Sequence, residues 1–340
     1  MSQDITKGAD SLQLSTKLYQ KGNFKEAKSI LLEMKITDDN RKDIHKILAS
    51  IYEQEENVPK ALKYYLSLCA LDSLNGVYHR KAAKQFMKAG ANGDALDYYE
   101  MAYHNNPYDF LTIKSLADIY IEQYDTLKAK SLIDQAIAHD GINVLYKLLK
   151  AKLYYKQSDY TTVVAVLDSI KGQIDFISYY SKMLGFCKLQ EDEIEDAIFW
   201  LQKSLSNDTE SEHVHYYLSE AYAKQGNKEA SLHHLDQALE SAISDRTGKY
   251  YRNKAKLYDE KKMLKEAIKA YEEAYRYDKD PLMLYYLARA SDIYYADKQI
   301  AIRYYEKYIR STHNVEAYKH YAKERKNYLK EQLHLSANNN

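Results

Sequence analysis

A spacing of 34 residues organises almost the whole chain. One position, here called the reference position, carries small or medium side chains and recurs at 34-residue steps, with one step of 36 between Ser231 and Ala267. The reference positions are Ala27, Ala61, Ala95, Ala129, Val163, Ala197, Ser231, Ala267 and Ala301. Repetition at a fixed period of about 20–50 residues is typical of solenoids and related stacked folds. The sequence therefore predicts nine tandem repeats.

Two further columns keep the same register. Twelve residues before the reference position the side chain is small, as in Ala49, Ala83 and Gly185, and four residues after it the side chain is large, as in Tyr65 and Leu201. Small residues suit the close approach of two helices, and large ones fill the space between them. Because apolar residues within a repeat are three or four apart, each repeat is expected to form two helices joined by a turn.

The composition favours long helices with few turns. The 340 residues include 10 glycines and 3 prolines, about 4% of the chain where about 12% is usual. This scarcity excludes collagen-like, low-complexity and many-stranded β folds, which need these residues as breaks. With 45% hydrophobic residues, the chain can bury a core, which excludes wholesale disorder.

The 34-residue helix–turn–helix unit with small, small and large columns resembles the tetratricopeptide repeat (TPR) family over nearly the whole chain. Most repeats lack the first-helix tryptophan and the closing proline of that family, although Pro107 stands in the proline's place. The resemblance implies antiparallel helix pairs stacked in a right-handed superhelix, with the first helix of each pair lining a concave groove. The expected fold class is an all-α solenoid, which agrees with the stacking that the apolar faces require.

The expected domain organisation follows from the repeat register. Residues 1–7 are an N-terminal extension, and residues 8–314 form the nine repeats. Residues 315–334 read as one more amphipathic helix that would cap the ninth repeat, as solenoid ends require. Residues 335–340 are expected to be a disordered tail.

The sequence carries no recognisable catalytic motif. Neither phosphate-binding glycine loops nor metalloprotease, nucleophile-elbow or CxxC motifs occur. Cys69 and Cys187 lie far apart among apolar residues, and His213 and His215 are two residues apart on a helix, so they face different directions. We therefore expect a protein that is not an enzyme and that uses no metal and no cofactor.

The TPR resemblance implies that the groove is lined by positions fifteen and eleven residues before the reference position. Nine of these eighteen side chains are basic and two are acidic, in a chain with 49 basic and 49 acidic residues. The alternative is that lysine simply suits a solvated helix face. The residues predicted to contact a partner are Lys46, Arg80, Lys84, Lys114, Lys152, Lys182, Phe186, Tyr216, Arg252, Lys256, Tyr285 and Arg289.

The function expected from these features is a scaffold or adaptor that binds a protein or an extended peptide in its groove. An acidic segment would suit the basic columns, with Phe186, Tyr216 and Tyr285 as apolar contacts. The alternative is a sensor or regulatory arm of a signalling or transcription complex formed with other chains.

The charge balance and the hydropathy limit the other partners. A formal net charge of zero disfavours nucleic-acid binding, and without a run of 18 apolar residues no membrane insertion is expected. The first residues lack the apolar core of a signal peptide, so the cytoplasm is the default compartment, and export remains open for a processed chain. The sequence assigns neither a partner nor an oligomeric state.

Overall fold

The computed structural model describes residues 2–206, 211–242, 245–311 and 315–338. In these residues the regular structure is entirely α-helical, which confirms the predicted all-α solenoid. The helices are α1 (Ser2–Gln20), α2 (Phe24–Glu33), α3 (Asp38–Gln54), α4 (Val58–Leu71), α5 (Gly76–Lys88), α6 (Asn92–Asn105), α7 (Phe110–Glu122), α8 (Thr126–His139), α9 (Val144–Lys156), α10 (Tyr160–Asp168), α11 (Ser178–Gln190), α12 (Ile194–Leu205), α13 (Glu212–Gln225), α14 (Lys228–Glu240), α15 (Thr247–Glu260), α16 (Leu264–Asp278), α17 (Pro281–Tyr294), α18 (Lys298–Arg310) and α19 (Glu316–Asn338).

The contacts between helices divide the chain into two compact units. Unit 1 comprises Met1–Ser158 and contains α1 to α9, and unit 2 comprises Asp159–Asn340 and contains α10 to α19. Within each unit every helix packs on the next one in the chain. The odd-numbered helices up to α17, here called first helices, also contact one another, α1 with α3 and α7 with α9 in unit 1 and α11 with α13 in unit 2. This pattern of neighbour-only packing is that of a solenoid.

The repeated columns of the sequence form the cores of the two units. All nine reference positions are buried, and so are the small residues twelve positions earlier and the large residues four positions later. At Gly185 the fit is tightest, because a Cβ atom there would lie 2.7 Å from Leu201 Cγ. Glycine is therefore required where α11 crosses α12.

In eight of the nine repeats, the turn after the first helix has one residue in the left-handed region, five residues before the reference position. Glycine meets this need at Gly22, Gly90 and Gly226, since it has no Cβ to clash. Larger residues adopt the same conformation elsewhere, namely Glu56, Tyr124, Ser158, Asp192 and Lys262. The following Asn or Asp often accepts a hydrogen bond from the first turn of the second helix, as Asn57, Asp125, Asp159 and Asn227 do.

The helices at both chain ends are longer than the predicted segments. Helix α1 already begins at Ser2, so residues 2–7 of the predicted N-terminal extension are helical and continuous with the first repeat. Helix α19 runs on to Asn338, past residue 335 where the tail was expected to begin, while residues 339–340 lie outside the described residues. In both cases the neighbouring helix continues, because Ser, Gln, Lys and Ala do not break a helix as glycine or proline does.

Helix α19 packs on α18 at the end of unit 2. Its side chains Ala322 and Leu329 are buried in one cluster with Tyr305 and Tyr308 of α18. Arg325 Nε lies 2.7 Å from Asp292 Oδ2, a carboxylate with 6% side-chain exposure. Helix α19 therefore covers apolar surface of α18 and also neutralises a buried charge.

Candidate functional site

The predicted partner-binding residues all lie on first helices, but most of the cations already have a carboxylate partner. In unit 1, Arg80 Nε lies 2.8 Å from Asp109 Oδ2, and Lys84 Nζ lies 2.9 Å from Glu53 Oε1. Each of these pairs joins two repeats. The basic columns therefore contribute to packing between repeats, which the sequence analysis did not foresee.

Asp118 pairs with two more of the predicted cations. Its Oδ2 atom lies 2.9 Å from Lys114 Nζ on the same helix, and its Oδ1 atom lies 2.8 Å from Lys152 Nζ on α9. Lys152 and Asp118 are 34 residues apart, so this ion pair links equivalent positions of successive first helices. One carboxylate in the second groove column thus bridges two basic neighbours and offsets one of their two charges.

Glu53 is the centre of the most buried of these networks. Its carboxylate accepts hydrogen bonds from Tyr65 OH at 2.6 Å, from Lys81 Nζ at 2.8 Å and from Lys84 Nζ at 2.9 Å. Burial alone would raise the pKa of Glu53, but the hydrogen bonds from Lys81, Tyr65 and Lys84 outweigh it and lower the pKa to about 2. Glu53 is therefore ionised and joins α3, α4 and α5.

In unit 2, one of the predicted cations is ion-paired and the other three are not, among the described residues. Arg252 Nη2 lies 3.0 Å from Asp278 Oδ2 and 3.3 Å from Asp280 Oδ2. Among the residues that the structure describes, no carboxylate lies within ion-pair distance of the remaining four predicted cations. These are Lys46 in unit 1 and Lys182, Lys256 and Arg289 in unit 2. The predicted basic surface is thus reduced to isolated charges within each unit.

Two of the three predicted apolar contacts are wrong. Tyr216 is 1% exposed and stacks on Tyr250, and Tyr285 is 5% exposed and stacks on Tyr318. Burial, followed by the hydrogen bond that its hydroxyl donates to Glu220, raises the pKa of Tyr216. Both rings fill space between helices, because a tyrosine at this position is long enough to reach the neighbouring repeat.

Phe186 remains half-buried at the surface of unit 2. Its ring lies 4.6 Å from the ring of Tyr217 and 5.5 Å from the ring of Tyr160, measured between centroids. Of the three predicted apolar contacts, it is the one that keeps accessible area.

A cleft of about 470 Å³ opens in unit 2 between α11, α13, α14 and α15. Its apolar lining includes Leu189, Ala223, Leu235 and Leu257. Its polar lining consists of Gln190, Ser219, Glu220, Lys224, Ser231, Asn253, Lys256 and Glu260. A cleft of this size that combines apolar and polar groups is typical of ligand sites, which span roughly 300–1,000 Å³.

Most charged groups of the cleft are partnered within the protein. Lys224 Nζ lies 2.8 Å from Asp192 Oδ1, and Glu260 Oε2 lies 3.0 Å from Lys228 Nζ. The Glu220 carboxylate accepts a hydrogen bond from Tyr216 OH. Lys256 is exposed and has no such ion pair in the described part of the chain. The cleft therefore presents one cation without an ion pair, Lys256, and one carboxylate, Glu220, that accepts a hydrogen bond from a hydroxyl but has no cationic partner among the described residues.

The sequence analysis found only part of this cleft. Glu220 and Lys256 belong to the second predicted column, and Glu260 is an acidic residue of the row next to it, but Gln190 and Lys224 were not considered as lining residues. Gln190, Lys224 and Glu260 occupy one further column, seven residues before the reference position. A search of all first-helix columns for polar residues would have found them.

Two histidines meet across a helix pair of unit 2. His215 Nδ1 of α13 lies 3.0 Å from His234 Nδ1 of α14, and the rings of His233 and His234 are in edge contact, with 5.3 Å between centroids. Burial, with smaller effects of His215 and His233, lowers the pKa of His234 to about 4. His234 is therefore neutral at pH 7, and the two histidines form a contact between α13 and α14 in which His215 is buried and His234 is half-buried.

The described residues hold no group of three or more metal-ligating side chains close enough to bind an ion. Both thiols are buried, and burial raises the pKa of Cys69 to about 11 and that of Cys187 to about 12. A thiol with a raised pKa is a poor nucleophile at neutral pH. Among the described helices, none has a stretch long and apolar enough to span a lipid bilayer.

Comparison with known proteins agrees with the repeat architecture. Residues 216–283 match the model of the tetratricopeptide repeat family. The crystal structure of a tetratricopeptide repeat protein from Parabacteroides merdae aligns with 74% of this chain and 98% of its own, at a TM-score of 0.54 and 14% identity. Residues 216–283 thus match tetratricopeptide repeats, and the chain as a whole has a TPR-like fold.

Two further TPR-like structures share the fold. PilF of Pseudomonas aeruginosa aligns with 62% of the chain and 94% of its own length, at a TM-score of 0.52 and 15% identity. The type IV pilus biogenesis factor PilW aligns with 58% of the chain and 92% of its own length, at a TM-score of 0.50 and 18% identity. At this identity the likeness concerns the fold alone. No curated protein sequence matches the chain.

The match of residues 216–283 to this repeat family bears on the role of the fold. TPR folds generally mediate protein–protein interaction and bind proteins or peptides. They are typically scaffolds without catalytic activity.

Proposed function

We propose that this TPR protein is a non-enzymatic scaffold that binds an extended protein segment in the cleft of unit 2. The observation that carries the proposal is the cleft itself, an open space of about 470 Å³ lined by three successive first helices, α11, α13 and α15. An extended chain can lie along first helices because equivalent positions of successive repeats stand side by side.

The lining of the cleft suits a peptide with one apolar side chain. Leu189, Leu235 and Leu257 provide an apolar floor, and burying a large aliphatic side chain there would contribute about 1.5–3 kcal/mol. Gln190 and Asn253 at the rim carry amide groups, which can both donate to and accept from a peptide backbone.

The charge of the cleft suits an acidic residue beside that apolar side chain. Lys256 is exposed, whereas the neighbouring Glu220, Lys224 and Glu260 already interact within the protein. A partner carboxylate could therefore approach Lys256 without displacing an existing ion pair. One exposed ion pair of this kind contributes roughly 0.2–1 kcal/mol. It would therefore favour peptides with an acidic residue over those without one, but it would not by itself determine the affinity.

A displayed peptide library selected on the full chain tests this proposal. Ala223 is exposed and lines the cleft, so A223R should fill the space without unpacking a helix. Selected peptides should contain an apolar residue next to an acidic one, and A223R should weaken their binding at least about tenfold, or 1.4 kcal/mol. Fluorescence polarisation with labelled peptides measures the affinities.

The matched control is A138R, the same substitution at an exposed alanine of α8 in unit 1. This variant should bind the selected peptides as the parent does. K256A should lower affinity only for peptides that carry the acidic residue. Selection of no peptide, or equal binding by A223R and the parent, would show that the cleft is not the binding site.

A further inference from the structure

Exposed apolar side chains recur at 34-residue steps along one edge of unit 1. Leu74, Tyr108 and Ile142 lie in three consecutive loops that lead into first helices, and they are 80%, 57% and 89% exposed. Three residues further on, in the first turns of α5, α7 and α9, the side chains are again apolar and 42–49% exposed. These six residues, here called the loop ridge, are Leu74, Val77, Tyr108, Leu111, Ile142 and Leu145.

Contacts between the loops place these side chains next to one another. Asn105 Nδ2 donates a hydrogen bond to the carbonyl oxygen of Ser73 at 3.0 Å, which joins the first loop to the end of α6. The ring of Tyr108 stacks on that of His139, with 3.6 Å between centroids, which joins the second loop to the end of α8. The loop ridge is therefore continuous over three repeats.

The loop ridge exposes a large area. At about 200 Å² for a fully exposed residue of this size, its six residues expose roughly 700 Å², including their backbone atoms and the Tyr108 hydroxyl. The apolar part of this area is comparable with the largest apolar patch of a typical monomer, roughly 300–600 Å², and such patches are often functional. A stable protein–protein interface buries about 800 Å² on each partner. The area of the loop ridge thus approaches what a dimer needs.

The charge around the loop ridge permits contact with an identical surface. Asp72 pairs with Lys42 at 2.8 Å, and Asp109 pairs with Arg80 at 2.8 Å, whereas Asp140 of the third loop has no ion pair among the described residues. Two of the three loop carboxylates would therefore add no free charge to a contact between two copies. An anionic lipid surface would instead call for clustered lysines, and the six ridge side chains are all uncharged.

The spacing of the ridge satisfies the geometry of a two-fold axis. The ridge has three layers, one from each loop: Leu74 with Val77, Tyr108 with Leu111, and Ile142 with Leu145. Leu74 lies 34 residues before Tyr108, and Ile142 lies 34 residues after it, so each outer layer is one repeat away from the central Tyr108 layer. In an isologous dimer, residue i contacts j and residue j contacts i. We propose that two copies of this chain associate through the loop ridge, with Tyr108 meeting Tyr108 and the Leu74 layer meeting the Ile142 layer.

Sedimentation equilibrium on the full chain tests the association. The parent should be dimeric at micromolar concentration, and Y108E should raise the dissociation constant at least about a hundredfold, because two charges would be buried against each other at the axis. The matched control is L127E, which changes a residue of α8 that is 81% exposed but lies outside the loop ridge. This control should remain dimeric, and so should A223R.

Cysteine cross-linking with a short bis-maleimide tests the symmetry. Y108C should cross-link to itself, whereas L74C should cross-link more with I142C than with another L74C chain. The native thiols are buried, so the parent should not react.

Several results would overturn the proposal. A parent that stays monomeric up to about 100 µM, a concentration that saturates ordinary micromolar dimers, would refute self-association. If L127E weakened the dimer as much as Y108E does, the dimer would not form through the loop ridge. Binding of the monomeric parent to neutral phosphatidylcholine vesicles, abolished by Y108E, would assign the ridge to a lipid surface instead.

Discussion

At the residue scale, a few buried polar side chains carry specific links between helices. Glu53 accepts hydrogen bonds from α4 and α5, and Lys188 of α11, 3% exposed, lies within 3.3 Å of carboxylate oxygens of Asp168, Glu193 and Asp196. Removing one partner of such a network leaves a buried charge uncompensated. These residues should therefore affect stability more than the exposed ion pairs do.

We expect E53Q to lower the stability of unit 1 by about 2 kcal/mol at pH 7. The pKa of Glu53 is lowered from its usual value of 4.5 to about 2, so its charge stabilises the fold above pH 4.5. That contribution is lost as the pH falls from 4.5 towards 2. The difference between E53Q and the parent should therefore be less than half as large at pH 3 as at pH 7.

Amide hydrogen exchange of α3, α4 and α5 during denaturant titration measures this effect. The matched control is E55Q, which removes the pair between Glu55 and Lys28 but should cost less than about 0.5 kcal/mol, because that carboxylate is exposed. Equal effects of the two variants, or a difference independent of pH, would contradict the role of Glu53.

At the scale of the element, α19 differs from the helices before it because it has no second helix packed after it in the described chain. It buries Ala322 and Leu329 against α18 and α17, while Lys323 and Tyr328 remain exposed. Terminal elements of a solenoid need a polar outer face to stay soluble. The burial pattern of α19 fits that need, and its capping role stays a prediction.

We expect removal of residues 315–340 to expose Tyr305 and Tyr308 and to promote association or fraying of α17 and α18. The point variant L329D should have a similar, smaller effect, since it places a charge in the same cluster. Thermal denaturation and light scattering measure both outcomes. The matched control K323D changes an exposed residue of the same helix and should leave the melting temperature unchanged. If the truncated chain melts as the parent does, α19 is not a cap.

At the scale of the whole molecule, many charged side chains pair between repeats. Lys28 with Glu55, Lys224 with Asp192 and Lys261 with Glu229 are examples outside the predicted columns. Because cations on one repeat often face carboxylates on the next, five of the nine basic residues in the two predicted columns are ion-paired within the protein.

We expect reversal of Arg80, Lys84 and Lys114 to Glu to destabilise unit 1 by roughly 2–3 kcal/mol. Their partners are Asp109, Glu53 and Asp118, so each substitution would replace attraction by repulsion. Added salt should reduce the loss. Urea denaturation at low and high salt measures it.

The control reverses Lys46, Lys256 and Arg289, which belong to the same columns but have no carboxylate at ion-pair distance in the described residues. This variant should keep the parent's stability. A stable triple variant of Arg80, Lys84 and Lys114 would instead favour the original idea of a free basic groove.

The order of the helices could be predicted from the amino-acid sequence. Small residues such as Ala61 and Ala197 recur at a fixed period, so each repeat forms the same pair of closely packed helices. The turn position was equally predictable, since glycine appears there in three repeats. The chain ends were not, because neither residues 2–7 nor residues 335–338 hold a strong break.

Only the tertiary structure decided which of the predicted side chains are exposed and unpaired, and so could contact a partner. Tyr216 and Phe186 have similar rings on equivalent faces, but only the burial of Tyr216 against Tyr250 removes it from the surface. Arg80 and Lys46 are both basic, but Arg80 has Asp109 within 2.8 Å. The sequence repeats give positions along a helix, whereas charge neutralisation and burial depend on which residue of the adjacent repeat comes within a few ångströms. That distance is set by packing between helices that are about 30 residues apart in the chain.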